Sequence, residues 1–296
     1  MKAIIFGING QDGYYLTQLL LNNNIEVIGV SRSNNLWLNG DISDSKFVEE
    51  LIKKHKPEFI FHFAAISTTQ HKAVLENHNA IALGTLNILE SVKNYSPKSR
   101  VFLSGSAMQF ENRGGAINEQ TPFEGSSLYS VARIQSVYAA RYYRDRFGLK
   151  IYVGYFFNHD SPLRSDNHVN KMIASAVKRI ALGSNERLEL GNINVRKEFS
   201  FAGDVVWAVW LLVNQDTIFE TVIGSGLAYS IKEWTELCFQ KVNKSWENFV
   251  DVKTNFTPDY MILVSDPTLI HSMGWEPEVD FNQMVDIMTQ GDDNIN

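Results

Sequence analysis

Ser106, Tyr129 and Arg133 are the side chains through which this sequence could do chemistry. Tyr129 and Arg133 stand at i and i+4, on one face of any helix that contains them. A cation beside a phenol favours the phenolate. Such a phenol can pass a proton to or from a carbinol oxygen while a hydride moves to or from a nicotinamide ring. The Ser106 hydroxyl follows a strand-like run, Val101-Phe102-Leu103, and can hold the same oxygen. A tyrosine and an arginine at this spacing are more often a plain surface pair, so the elements around them decide their meaning.

The first of those elements is a glycine loop. Gly7-Ile8-Asn9-Gly10-Gln11-Asp12-Gly13 falls between the β-branched run 2–6 and Leu16, Leu19 and Leu20 at helical spacing. The spacing G-x-x-G-x-x-G allows a tight turn, close approach of backbone to a pyrophosphate, and close packing of helix on strand. Backbone N–H groups and the positive end of the helix then face the phosphates. Gly7, Asn9, Gly10, Gln11, Asp12 and Gly13 are therefore candidate coenzyme contacts, against the plainer reading of an ordinary turn.

The end of the second strand discriminates between coenzymes. A carboxylate there would hold the ribose hydroxyls of NAD and repel a 2′-phosphate. This chain has Ser31-Arg32-Ser33-Asn34 instead. Arg32 can grip a phosphate through two N–H groups, with Ser31 and Ser33 beside it, so NADP(H) is expected over NAD(H). The competing reading makes Arg32 a solvated surface residue.

Strand-like runs at 2–6, 26–30, 59–63, 101–103 and 151–157 alternate with helical patterns such as 81–92 and 129–147. This rhythm predicts an α/β fold: a Rossmann-type doubly wound parallel sheet with helices on both faces. Residues 1–157 read as the dinucleotide-binding domain. Residues 158–296 read mainly as a smaller C-terminal α/β substrate lobe, with helices at 171–181 and 204–213 and some segments returning to the sheet.

Composition narrows the partners. Among 296 residues, 27 Lys and Arg face 33 Asp and Glu, a net charge of −6. No basic excess exists to displace counterions from a nucleic acid. The single cysteine, Cys238, excludes an internal disulfide and a multi-cysteine zinc site, and reads as a packing residue. His62, His71, His78 and His168 lack ligand spacing, so no metal is expected. No window approaches the ~18 apolar residues of a membrane span, and a cytoplasmic protein is expected.

Four stretches carry a family resemblance: the glycine loop through Gln11-Asp12-Gly13-Tyr14-Tyr15-Leu16, Gly40-Asp41-Ile42-Ser43-Asp44, Phe63-Ala64-Ala65-Ile66-Ser67, and Phe156-Phe157-Asn158-His159-Asp160-Ser161-Pro162. With them the chain resembles the extended short-chain dehydrogenase/reductases. Within that family it is most similar to the group of GDP-mannose 4,6-dehydratases and GDP-4-keto-6-deoxymannose reductases. The last stretch resembles the group's Phe-Asn-His-Glu-Ser-Pro run and is the most specific. Leu190-Gly191-Asn192, Asp204-Val205, Asp266-Pro267 and Gly274-Trp275-Glu276-Pro277 keep the pattern, so the likeness spans nearly the whole chain.

The resemblance implies coenzyme contacts at Asp41, Ile42, Phe63, Ala64, Ala65, Ser67, Tyr129, Arg133, His159 and Arg164. It implies nucleotide-sugar contacts at Ser106, Asn158, Lys171, Arg196 and Lys197. A homodimer is also implied, through a helical seam involving 83–92 and 138–142.

Two departures bear on activity. The family pair is Tyr-x-x-x-Lys, whose lysine holds the nicotinamide ribose and lowers the tyrosine pKa; here that position is Arg133, a larger planar fork. The dehydratases of the group use a Glu two residues after a catalytic Thr. In either register of 104–110 (Gly105 with Ala107, or Ser106 with Met108) no carboxylate falls there, and Glu111 and Glu119 are merely near in sequence. An NADP-dependent reductase of a 4-keto-6-deoxy nucleotide sugar, GDP-linked, is therefore expected first. A dehydratase-type lyase or epimerase comes second, and a non-catalytic nucleotide-binding relative third.

Overall fold

The strands that alternation predicts are mostly apolar, with Lys2 and Glu26 at their starts, because parallel strands covered by helices are buried on both faces. In the computed structural model, which describes residues 1–33, 36–66 and 73–290, they assemble as expected. β1 (Lys2–Phe6), β2 (Glu26–Ser31), β3 (Leu38–Asn39), β4 (Phe59–His62), β5 (Arg100–Ser106) and β6 (Lys150–Phe156) lie in one parallel sheet. The seventh strand, Glu220–Ile223, returns from late in the chain to the edge beside β6. The order is seventh strand, β6, β5, β4, β1, β2, β3. From β1 the chain winds first to one side and then to the other. A crevice is left beyond the carboxyl ends of β1 and β4, where such sheets bind ligands.

Residues alternate between two apolar layers. Ile4, Phe6, Ile60, Val101 and Val153 face α2 (Ser45–His55), α4 (Gly84–Tyr95) and α5 (Leu128–Phe147). Ala3, Ile5, Phe61, Phe102 and Tyr152 face α1 (Gln11–Asn22) and the helix Ala202–Val213. A third core lies in the C-terminal part, where Ile173, Val177, Trp234, Phe239, Met284 and Val285 pack around Cys238.

The expected helix over 81–92 is longer and interrupted. α3 (Val74–His78) runs into a wide π-turn, Asn79–Leu83, before α4. The Ile81 carbonyl accepts from the Ser136 hydroxyl at 3.1 Å. Gly84, the first residue of α4, packs closely under Ile42, since a Cβ there would lie 3.0 Å from the Ile42 side chain.

α5 starts at Ser127, whose side chain accepts the Ser130 N–H, and ends at Gly148 in the left-handed region, φ 66°. Its first two turns carry Tyr129 and Arg133. β5 runs three residues past the apolar triplet 101–103, so Ser106 is its last residue, paired with Phe156. Beyond β6 come β7 (His159–Asp160), α6 (Val169–Ala181), β8 (Leu188–Leu190), β9 (Arg196–Lys197) and β10 (Ser200–Phe201). Among the described residues, no helix is long and apolar enough to cross a membrane, and no three His, Cys, Asp or Glu side chains gather as metal ligands.

Candidate active site

The glycine loop fills the crevice with backbone alone. Gly7 has φ 87°, and a Cβ there would lie 2.7 Å from the Ala64 nitrogen. A Cβ on Gly13 would lie 2.6 Å from Ile8 Cα. Gly10 precedes α1 with no side-chain cap, so the first-turn N–H groups point out unclaimed by any cap. A bare main-chain cradle at a helix N-terminus suits a pyrophosphate, and these residues fit a dinucleotide.

The side chains of Gln11 and Asp12 turn the other way. Gln11 donates to the His159 carbonyl (3.1 Å) and accepts from Ser161 (3.1 Å). Asp12 Oδ1 lies 2.9 Å from His159 Nε2, and His159 Nδ1 lies 2.8 Å from the Phe157 carbonyl. Both ring nitrogens of His159 are thus engaged within the protein. The structure thus joins His159, a coenzyme contact by resemblance, to Asp12 of the glycine loop. Burial acts to raise the Asp12 carboxyl, but the charge and hydrogen bond of His159, with Arg164, hold it below the usual carboxylate range. Burial acts to lower the His159 imidazole, and Asp12 more than offsets it, leaving the ring above its ordinary value.

At the end of β2, Asn9 Nδ2 donates to Ser31 Oγ (2.6 Å) and Ser33 Oγ (2.7 Å), so these three candidates form one polar triangle. Arg32 pairs with Glu76 of α3 at 3.3 Å, with both side chains more than half exposed. Asp41 accepts from the Ser43 N–H and hydroxyl, closing a turn. Ile42 is buried, and its carbonyl accepts from Asn87. The Phe63 N–H bonds the Phe6 carbonyl, which sets the β4 turn beside the loop. Ser67 lies outside the described residues, as do Asn34 and His71.

Ala65 of that turn packs in one small cluster with Tyr129, Ile81, Ala82 and Ala132. The structure therefore brings the crevice and the tyrosine together. Arg133 Nε donates to Tyr129 Oη at 3.2 Å. Its Nη1 donates to the Ser104 carbonyl and, at 2.8 Å, to Ser104 Oγ. Ser106 caps the short turn Ala107–Gln109, accepting the Met108 N–H at 3.2 Å. Ser130 of α5 bonds the Met108 carbonyl at 2.8 Å, tying that turn to the tyrosine's helix.

The expected sugar-nucleotide contacts, and Arg164 expected at the coenzyme, are spread over the C-terminal part. Asn158 Oδ1 accepts from Tyr260 at 3.5 Å. Lys171 Nζ bonds the Pro162 carbonyl at 2.7 Å. Arg164 Nε sits 3.2 Å from Asp160, and Nη2 sits 3.2 Å from His168. Arg196 is engaged with Glu233 (3.1 Å) and the Ala228 carbonyl (2.6 Å). Lys197 lies over the Phe199 ring, and burial pushes it down to about 8, Asp160 acting to raise it and Arg164 to lower it.

The nearby carboxylates are occupied. Glu119 accepts from Thr221 (2.9 Å) and the Val222 N–H (2.7 Å), while Glu111 pairs with Arg113 (2.6 Å). Ser104 was not among the expected site residues. Its signal in the sequence is a hydroxyl within an otherwise apolar buried strand, where an unpaired polar group would be costly.

Residues 4–288 match the family model described as GDP-mannose 4,6 dehydratase. The chain belongs to the GDP-mannose 4,6-dehydratase family. Among its relatives is GDP-mannose 4,6 dehydratase 1 of Arabidopsis thaliana, 30% identical over 321 residues, covering 98% of this chain and 89% of the relative. Two solved structures share the fold. One is UDP-glucose 4-epimerase of Thermus thermophilus in complex with NAD (TM-score 0.85, 20% identity, 98% of each chain). The other is RMD from Pseudomonas aeruginosa complexed with NADPH (TM-score 0.84, 19% identity, 98% of this chain and 97% of that one).

Proposed function

We propose that this family member is an NADP-dependent reductase of a GDP-linked 4-keto-6-deoxy sugar. The observation that carries the reading is the contact of Arg133 Nε with Tyr129 Oη, beside Ala65 at the rim of the glycine-loop crevice. A nicotinamide dinucleotide, when bound, supplies the hydride. The chain's own residues do the rest. Tyr129 gives a proton to the sugar's C4 oxygen, and Ser106 holds that oxygen by its hydroxyl. Arg133 keeps a positive charge against the phenol oxygen as the proton leaves. Asn158, Lys171 and Lys197 supply cationic and amide donors for a nucleoside diphosphate, and Arg164 one for the coenzyme; Arg196 joins the first group by exchanging its present partners.

NADP over NAD is supported by Arg32, Ser31 and Ser33 at the end of β2, where no acid stands. A homodimer is supported by Tyr138 and Tyr142, each 58% exposed on α5.

A second reading, a GDP-mannose 4,6-dehydratase-type lyase, is favoured by the names of the relatives. The elimination needs an acid/base group near C5 and C6. Two residues after Ser106 stands Met108, packed against the main core, and Glu111 and Glu119 are engaged elsewhere. One experiment separates the readings. With GDP-4-keto-6-deoxymannose a reductase consumes one NADPH per product. With GDP-mannose a lyase turns over without net loss of NADPH. NADPH binding without turnover on either sugar would overturn both.

A further inference from the structure

Arg133 is only 6% exposed, and a buried guanidinium needs partners for its donors. Nη1 has two N–H groups, and both go to Ser104, one to the carbonyl and one to Oγ. Ser104 Oγ passes its own proton to the His62 carbonyl at 2.9 Å, so its lone pair is turned to the arginine. A planar fork held at one end in this way cannot swivel. The edge of a guanidinium that carries Nε also carries one N–H of Nη2. Fixing Nη1 on Ser104 therefore sends both of those donors to the side of Tyr129. Nε meets Tyr129 Oη there. Nη2 has no hydrogen-bond partner among the described residues.

We propose that Ser104 is a positioning residue: by anchoring Nη1 it orients Arg133 so that Nε serves Tyr129 while Nη2 is left for the hydroxyls of the coenzyme's nicotinamide ribose. One arginine would then perform both tasks of the family lysine, with the Ser104 hydroxyl adding a second anchor to the one its backbone carbonyl gives. This rests on the reading of the crevice as a nicotinamide dinucleotide site.

The test compares a whole coenzyme with its adenosine half. Dissociation constants of NADPH and 2′,5′-ADP are measured by calorimetry for the full chain and for Ser104→Ala, with NADH and AMP as a second pair. The fragment lacks the nicotinamide ribose and reports an intact adenosine site. Ser104→Ala should weaken NADPH about tenfold, the size of one charge-assisted hydrogen bond, and leave 2′,5′-ADP within twofold. Ser104→Thr, which keeps the hydroxyl, should restore the ratio. In an Arg133→Lys background, where no fork needs holding, Ser104→Ala should leave the ratio unchanged.

An unchanged ratio in Ser104→Ala, or an equal loss in the lysine background, overturns the proposal. If the parent chain binds neither coenzyme nor either fragment, the dinucleotide reading itself falls, which is a different result. Ser104→Cys, similar in shape and a weak acceptor, gives the same comparison should the alanine variant fail to fold.

Discussion

Asp12 and His159 are joined at 2.9 Å between the first turn of α1 and the strand that opens the lobe. The pair links the backbone beneath the proposed phosphate site to residues 147 positions away. Removing one partner of a buried pair leaves an uncompensated charge, so His159→Ala should cost about 3 kcal/mol in urea unfolding. His159 is raised, so its contribution is full below about 6.5 and is lost as pH climbs through the folded value. Asp12 is lowered, so its contribution is full above about 4 and is lost as pH falls through its folded value. The stability difference between the parent chain and His159→Gln should therefore be greatest near pH 5–6 and shrink on the alkaline side. A difference that grows steadily to pH 9 would contradict the pairing.

Tyr129→Phe removes the proposed proton donor and little else, since the ring still packs against the cluster of Ile81, Ala82 and Ala132. Turnover should fall about 10²–10⁴-fold. NADPH affinity, measured by fluorescence, should stay within twofold. Full activity in this variant would remove the tyrosine from the chemistry.

Arg32 pairs with Glu76 at the end of β2, where the proposed NADP would place its 2′-phosphate. Arg32→Ala should weaken NADPH roughly 10- to 100-fold, the value of a charge-assisted contact, and leave NADH nearly unchanged. Glu76→Gln frees the guanidinium and should tighten NADPH a few-fold. Equal effects on both coenzymes would show that Arg32 does not read the 2′-phosphate.

Gly7→Ala places a methyl 2.7 Å from the Ala64 nitrogen at φ 87°. Strain at such a position costs about 1–3 kcal/mol. The loop must shift, and coenzyme binding should be lost before the fold is, as followed by calorimetry beside circular dichroism.

Tyr142→Lys puts a charge on the exposed face of α5. If that face joins two copies, light scattering should show half the parent mass, with circular dichroism unaltered. An unchanged mass places the contact elsewhere.

Much of the sheet was legible because strands buried on both faces leave unbroken apolar runs, and the loop after β1 announces itself by its glycines. The edge strand Glu220–Ile223 was harder to see, since four residues carry little periodicity. The two-residue strands of the lobe carry none. Tyr129 and Ser106 could be picked out because they fall at a helix start and a strand end. What Arg133 holds could not, for Ser104 lies 29 residues away and meets it only once β5 and α5 pack. The His159 side chain likewise pointed to the coenzyme by likeness, whereas its partner Asp12 is chosen by the approach of β7 to α1. Arg196 is a nucleotide-sugar contact by likeness, and its present pairing with Glu233, from a helix 37 positions on, leaves no trace in the sequence.

Cys238, the chain's sole thiol, is sealed in the third core with no accessible surface. Burial pushes that thiol up, so it is also chemically quiet while folded. An alkylating reagent can consequently reach it only during excursions that unseal the C-terminal part. The rate of mass gain in iodoacetamide becomes a clock for those excursions, and any sugar nucleotide that clasps the lobe should slow it.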